Sequence, residues 1–196
     1  MQGGPARPVE DLARPPARGP MPDPDDDPVA QFCAQARASA STVERIGTRA
    51  DAPRAVAEFL TREGLPMNGC IWPALEAGQW DAAGLEFAAR GAGSEDKVGI
   101  TGVFCAIAET GTLMLVSGTD TPATVSLLPE THVALVPASR IVRCMEDAWD
   151  LARAELGELP RAVNFISGPS RTADIEQTMV LGAHGPYRVH ILVLDT

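Results

Sequence analysis

The sequence predicts an α/β protein: a mostly parallel sheet with helices on both faces. Three observations lead there. Short runs of strand character alternate with runs at helical spacing along most of the chain. Residues 113–117 and 132–136 are apolar at successive positions apart from their ends, as strands buried on both faces are. An apolar content of 45% in 196 residues is enough to fill a core between such layers.

The elements can be justified in order. Residues 1–28 are rich in Pro, carry the acidic run Asp25-Asp26-Asp27 and show no apolar periodicity, so they are expected to form a flexible Pro-rich tail ahead of one domain, 29–196. Val29, Phe32, Cys33 and Ala36 fit a short amphipathic helix. Residues 42–46 read as a strand. Asp51 is placed to cap a helix with Pro53 in its first turn, Val56, Phe59 and Leu60 on its apolar stripe and Gly64 at its end. Residues 69–72 read as a second strand. The stretch 74–97, with Trp80, Leu85 and Phe87, predicts one short element and a loop.

Residues 98–108 are apolar and Gly-spaced, and end in Glu109-Thr110-Gly111-Thr112. Strands are expected over 113–117 and 132–136, with a short helix over 123–127 between them. Ser139 is expected to open the best-patterned helix, since Ile141, Met145, Trp149, Ala152 and Leu156 recur at helical spacing until Gly157 and Pro160. A strand over 163–166 follows. Asp174, with Gln177 three positions on, predicts a capped helix over about 175–180. A last strand spans 188–194.

Composition excludes several functions. A formal charge of −10 argues against a broad nucleic-acid or anionic-membrane surface, though not against a small anion in a local pocket. No apolar run reaches the roughly 20 residues of a membrane span, and the polar N-terminus lacks a secretory h-region, so a cytoplasmic protein is expected. Cys33, Cys70, Cys105 and Cys144 are widely spaced and form no C-x-x-C pair; three sit among apolar neighbours as small hydrophobes. No metal set is expected from the scattered His132, His184 and His190. There is no G-x-G-x-x-G after the first strand, no G-x-x-x-x-G-K-[ST] and no G-x-S-x-G.

Three polar loops beside apolar strands are the candidate site. In 108–112, Glu109 is a candidate catalytic carboxylate (nucleophile or general base), flanked by Thr110, Gly111 and Thr112 as ligand-binding groups; the alternative is a structural carboxylate accepting backbone N–H groups. In 168–172, a Gly168-Pro169 turn precedes Ser170, Arg171 and Thr172. Arg171 can fork onto a carboxylate or phosphate while the hydroxyls donate, and a following helix start would add free N–H groups; the alternative is a capped helix start with an exposed Arg. In 182–186, His184 between glycines can donate to the same anion or shuttle a proton, or simply bond backbone in a turn. His132 and His190 receive no role. Glu109, Ser170, Arg171, Thr172 and His184 are expected to line one cleft at the carboxyl ends of the strands.

Four segments together carry a resemblance: Ala106-Ile-Ala-Glu-Thr-Gly-Thr112; Ser126-Leu-Leu-Pro129 with His132; Phe165-Ile-Ser-Gly-Pro-Ser-Arg-Thr-Ala-Asp-Ile-Glu176; and Gly182-Ala-His-Gly-Pro186. From about residue 30 to 196 the chain resembles the LUD domain family, in particular its lactate utilization protein C (LutC) group. The resemblance implies a fold like that of the ribose-phosphate isomerase, glucosamine-phosphate deaminase and CoA-transferase superfamily. It also implies a part in oxidising L-lactate to pyruvate beside two iron–sulfur partner proteins. With no cluster-binding cysteine motif, this chain would be the subunit without a cofactor of its own, binding a small carboxylate or phosphate or docking its partners. The other class kept open is a stand-alone CoA-transferase-like or cycloligase-like enzyme acting on an anionic substrate through Glu109.

Overall fold

The computed structural model describes residues 26–75, 80–175, 178–182 and 185–195. Helix α1 spans Pro28–Ala38. Proline occupies its first turn, and Asp27 caps it by accepting a bond from Ala30 N at 3.0 Å. Strand β1 (Thr42–Ile46) leads to α2 (Ala52–Glu63), which ends at Gly64 in the left-handed region, φ 64°. Asp51 stands before α2, but its carboxylate turns back to take Thr48 N at 2.9 Å and Thr48 Oγ1 at 2.8 Å. The residue closes the preceding turn instead of capping the helix.

Next come β2 (Asn68–Ile71), β3 (Glu86–Ala89), β4 (Val98–Thr101), β5 (Cys105–Ile107), β6 (Thr112–Val116), α3 (Thr124–Leu127) and β7 (Thr131–Pro137). They are followed by β8 (Ile141–Val142), α4 (Met145–Leu156), β9 (Val163–Ile166), β10 (Arg171–Ile175), β11 (Thr178–Leu181) and β12 (Arg188–Leu194).

Six strands form one sheet in the order β1-β12-β7-β4-β2-β3, and every neighbouring pair is parallel. A smaller sheet runs β8-β5-β6-β9, with β6 antiparallel to both of its neighbours and β8 parallel to β5. β10 and β11 form a separate antiparallel hairpin.

Alternation along β12 shows how the layers stack. Leu192 and Leu194 face α2, with Phe59, Leu60, Val133 and Leu135. Val189, Ile191 and Val193 face the other way, onto Phe32 and Ala36 of α1, Val125 of α3, and Ala106, Leu113 and Leu115 of the small sheet. Beyond that sheet, α4 covers Cys105, Ile107 and Met114 with Ala148 and Ala152. The α/β class and the mostly parallel sheet with helices on both faces are therefore present, with a second sheet inserted on the α1 side.

Two helices differ from expectation. The one expected from Ser139 begins only at Met145. Ile141 and Val142 instead pair with Ala106 and Ile107, a use of β-branched side chains that packs Ile141 into the core beside α1. Cys144 is the N-cap, and Glu146 and Asp147 put negative charge in the first turn. The helix expected over about 175–180 is absent: the chain forms the β10–β11 hairpin, Arg171 pairing with Leu181 and Thr172 with Val180. Thr172, Ile175, Thr178 and Val180 favour strands, and they override the Asp174 and Gln177 cap pattern.

The domain edge also moves. Residues 1–25 lie outside the described residues, while Asp27 and Pro28 belong to α1. Removing 1–25 is expected to leave the melting temperature unchanged, whereas removing 1–28 deletes the cap and should cost about 1 kcal/mol. Thermal unfolding of the two truncations checks this; equal melting temperatures would show that the cap contributes nothing.

One consequence of the strand order bears on the site. From β2 the chain proceeds outward to β3, and from the adjacent β4 it proceeds the opposite way to β7, a crossing whose carboxyl-end crevice commonly takes ligands. Here protein fills that place. Trp72, 4% exposed, donates Nε1–H to Pro122 O at 3.1 Å, and its ring and Leu75 both come within 3.7 Å of where a Gly102 side chain would begin.

Candidate functional site

The three polar loops meet at the other end of the sheet. Residues 108–111 turn between β5 and β6, held in place as Ala108 N and Glu109 N donate to Val142 O and Arg143 O at 2.8 and 2.9 Å. Gly111, φ 64°, brings this turn onto α1: a side chain there would collide with the backbone of Gln35 and Ala36. After β9, Gly168, φ 77°, packs just as tightly on the Ser39 carbonyl. The two loops are joined by hydroxyls. Thr112 Oγ1 lies 2.7 Å from Thr110 Oγ1 and 2.6 Å from Ser167 Oγ.

The third loop joins through backbone. Ser170 N donates to Pro186 O at 2.8 Å, and Gly182 N donates to Ser170 O at 2.9 Å. Tyr187 N and Arg188 N in turn donate to Glu130 O, just ahead of β7. The loops therefore sit at the amino ends of β12, β7 and β1, since Pro186 precedes β12, Glu130 precedes β7 and Ser39 precedes β1. This corrects the expected carboxyl-end location. Those ends are closed by Trp72, and the crossing that would open a crevice there lies at β2 and β4, away from these loops.

The structure thus brings Thr110, Gly111, Thr112, Gly168 and Ser170 into one contiguous region. Glu109 is half-buried in the first turn, and among the described residues its carboxylate has no hydrogen bond or ion pair. Arg171 follows Ser170 directly, is exposed, and makes no ion pair with a described residue. It opens a strand, so the helix N–H groups expected beside it do not exist. His184 and the Thr172 side chain lie outside what the structure describes. Ser167 lies within the segment 165–176 singled out in the sequence but receives no role there, since the candidate loop begins at Gly168. The available signal was a hydroxyl next to a glycine whose backbone conformation other residues rarely adopt.

His132, His190 and the four cysteines have structural surroundings. His132 bonds Thr101 Oγ1 through Nε2 at 2.8 Å, and His190 bonds Thr42 Oγ1 through Nδ1 at 2.8 Å while stacking on Phe59 at 3.8 Å. Burial lowers both imidazoles to about 4, so both are neutral at pH 7. All four cysteines are buried, with burial pushing Cys70 up to about 12 and Cys105 to about 11, far from reactive thiolates. Among the described residues no cluster of His, Cys, Asp and Glu could hold a metal ion, and no helix is long and apolar enough to cross a membrane.

Residues 93–194, just over half of the 196, match the LUD domain. This chain belongs to the LUD domain family. The LUD domain match begins before β4 and takes in all three loops and β12. Among similar proteins, lactate utilization protein C of Bacillus subtilis (strain 168) is 42% identical over 121 residues, 60% of this chain and 50% of the relative. The protein of the same name from Bacillus velezensis is 36% identical over 142 residues, 68% of this chain and 52% of the relative. The chain spans about half the length of the curated relatives it matches. In structure, this LUD domain chain resembles a DUF162 family protein from Deinococcus radiodurans, with a TM-score of 0.67 and 24% identity over 86% of this chain and 96% of that one, a likeness of fold.

Proposed function

We propose that this LUD domain protein takes part in lactate utilization, working in the cytoplasm beside iron–sulfur partner proteins, and that the region of the three loops binds a small carboxylate or phosphate. The names of its relatives support the first part. The joined loops carry the second: hydroxyls of Thr110, Thr112 and Ser167 are linked in one chain, with Ser170 and Arg171, which pairs with no carboxylate among the described residues, a few residues along the sequence. An exposed guanidinium with no carboxylate partner among the described residues, a few positions along the chain from several hydroxyl donors, suits an oxyanion. Clusters would reside in the partners, since the cysteines of this chain are dispersed and buried.

Calorimetric titration of L-lactate, pyruvate and inorganic phosphate tests this reading. Replacing Arg171 with alanine should weaken the tightest of them by about 2–5 kcal/mol, with Arg171→Lys recovering only part, because an ammonium lacks the planar fork. Fold stability should hardly change, since Arg171 is exposed. Equal binding by wild type and Arg171→Ala, with equal support of growth on lactate, would rule out an anion site at Arg171.

A further inference from the structure

We propose that Thr112 is a positioning residue that orients the Ser167 hydroxyl as a hydrogen-bond donor to the bound anion, which makes Thr110, Thr112 and Ser167 a single directional relay. The proposal rests on the anion-site reading above and assigns that site a donor, Ser167, and a preference for ligands that present acceptor oxygens.

Proton counting leads there. Each hydroxyl carries one proton, so two bonds among three hydroxyls use two of the three. Thr112 stands in the middle and either donates to one neighbour while accepting from the other or accepts from both; only the first uses its own buried O–H, so we take the chain to run in a single direction. The third proton is left at one end, on Thr110 or on Ser167. Both ends are exposed, whereas Thr112 is 3% exposed between apolar Ile107 and Leu113. An acceptor beside Ser167 selects the direction Thr110 to Thr112 to Ser167 to ligand, and each bond polarises the next.

Packing alone does not call for this hydroxyl. Leu113, Met114 and Leu115, the next residues of β6, are apolar and at most 1% exposed. Valine has the same branching as threonine, and removing the Thr112 hydroxyl would leave no buried group unpaired, because Thr110 and Ser167 can turn to water. Gly168, pinned on Ser39, fixes the backbone next to Ser167, and Gly111, pinned on Ala36, fixes the backbone between the two threonines.

The test measures thermal unfolding and calorimetric binding of L-lactate, pyruvate and inorganic phosphate for Thr112→Val, Thr112→Ser, Ser167→Ala and Arg171→Ala. Thr112→Val is expected to keep the wild-type melting temperature and to weaken the best-bound probe about tenfold or more, the scale of a hydrogen bond to a charged group. Thr112→Ser should restore binding, and Ser167→Ala should match Thr112→Val. A merely structural hydroxyl predicts the reverse: a lower melting temperature with binding kept. Wild-type binding by Thr112→Val or Ser167→Ala, with loss in Arg171→Ala, would overturn the relay and leave the anion site standing. No loss in any variant would remove both. Should Thr112→Val fail to fold, the exposed Ser167→Ala decides alone.

Discussion

Replacing Gly168 with alanine should be among the most damaging single substitutions in this protein. The residue sits at φ 77°, where an L side chain costs roughly 1–2 kcal/mol. Its new methyl would also press into the Ser39 carbonyl, a backbone atom that cannot swing aside. Together these should cost about 3–5 kcal/mol, lowering the melting temperature by about 10 °C for a chain of this size. Gly64→Ala is the internal control. Its φ is 64°, but a methyl there meets nothing within 4 Å, so only the conformational cost applies. Thermal unfolding of the pair isolates the contact; similar melting temperatures would mean that the loop does not dock on the end of α1. In Gly168→Ala protein that still folds, binding of the proposed anion should weaken as well, because Ser167 would be displaced.

A second large effect is acid sensitivity well above the carboxylate range. The unfolded chain protonates His132 and His190 near 6.5, whereas the folded protein holds them neutral down to about 4. Between those values the unfolded state binds more protons, so stability falls as pH falls. The contribution is fully present above 6.5 and is lost on the way to 4, at about 3 kcal/mol per histidine. The lowered carboxylates of Asp51, Asp96 and Glu155 act in the same direction, but from their ordinary values of 3.8 to 4.5 downward, so the decline from pH 6.5 to about 5 belongs to the imidazoles. Urea unfolding at pH 8, 6 and 4.5 should show a steep decline, and His132→Asn should flatten it. A stability that stays level from pH 7 to 4.5 would refute the buried neutral imidazoles.

The elements legible in the sequence were those in which local signals agree. Pro53 and Gly64 bracket α2 as expected, and the apolar runs became β6, β7 and β12. The misreadings occurred where a local pattern competed with a distant partner. Ile141 fits a helical stripe with Met145 and Trp149, yet it pairs with Ala106, which no local window contains. Asp174 and Gln177 imitate a cap, yet Thr172 finds Val180 across a hairpin. The candidate site is marked in the sequence by residue types, because hydroxyls, Arg171 and Glu109 mark loops that apolar strands do not require. Its location was not legible. Whether the loops lie at amino or carboxyl ends depends on strand order, and strand order is a property of the assembled sheet.

That order also dictates timing. β12 lies between β1 and β7 and is hydrogen-bonded to both, pairing His190 with Thr42 across 148 residues of chain. Among the described strands β1 pairs only with β12, so during synthesis it waits for that neighbour until residues 188–194 have been made. Until then the nascent chain carries two open parallel edges, and contacts of such long sequence separation form slowly. Strand β1 thus depends on β12, so a chain stalled or cleaved before β12 keeps at most β7-β4-β2-β3 of the sheet and leaves the facing edges of β1 and β7 unpaired, edges suited to aggregation.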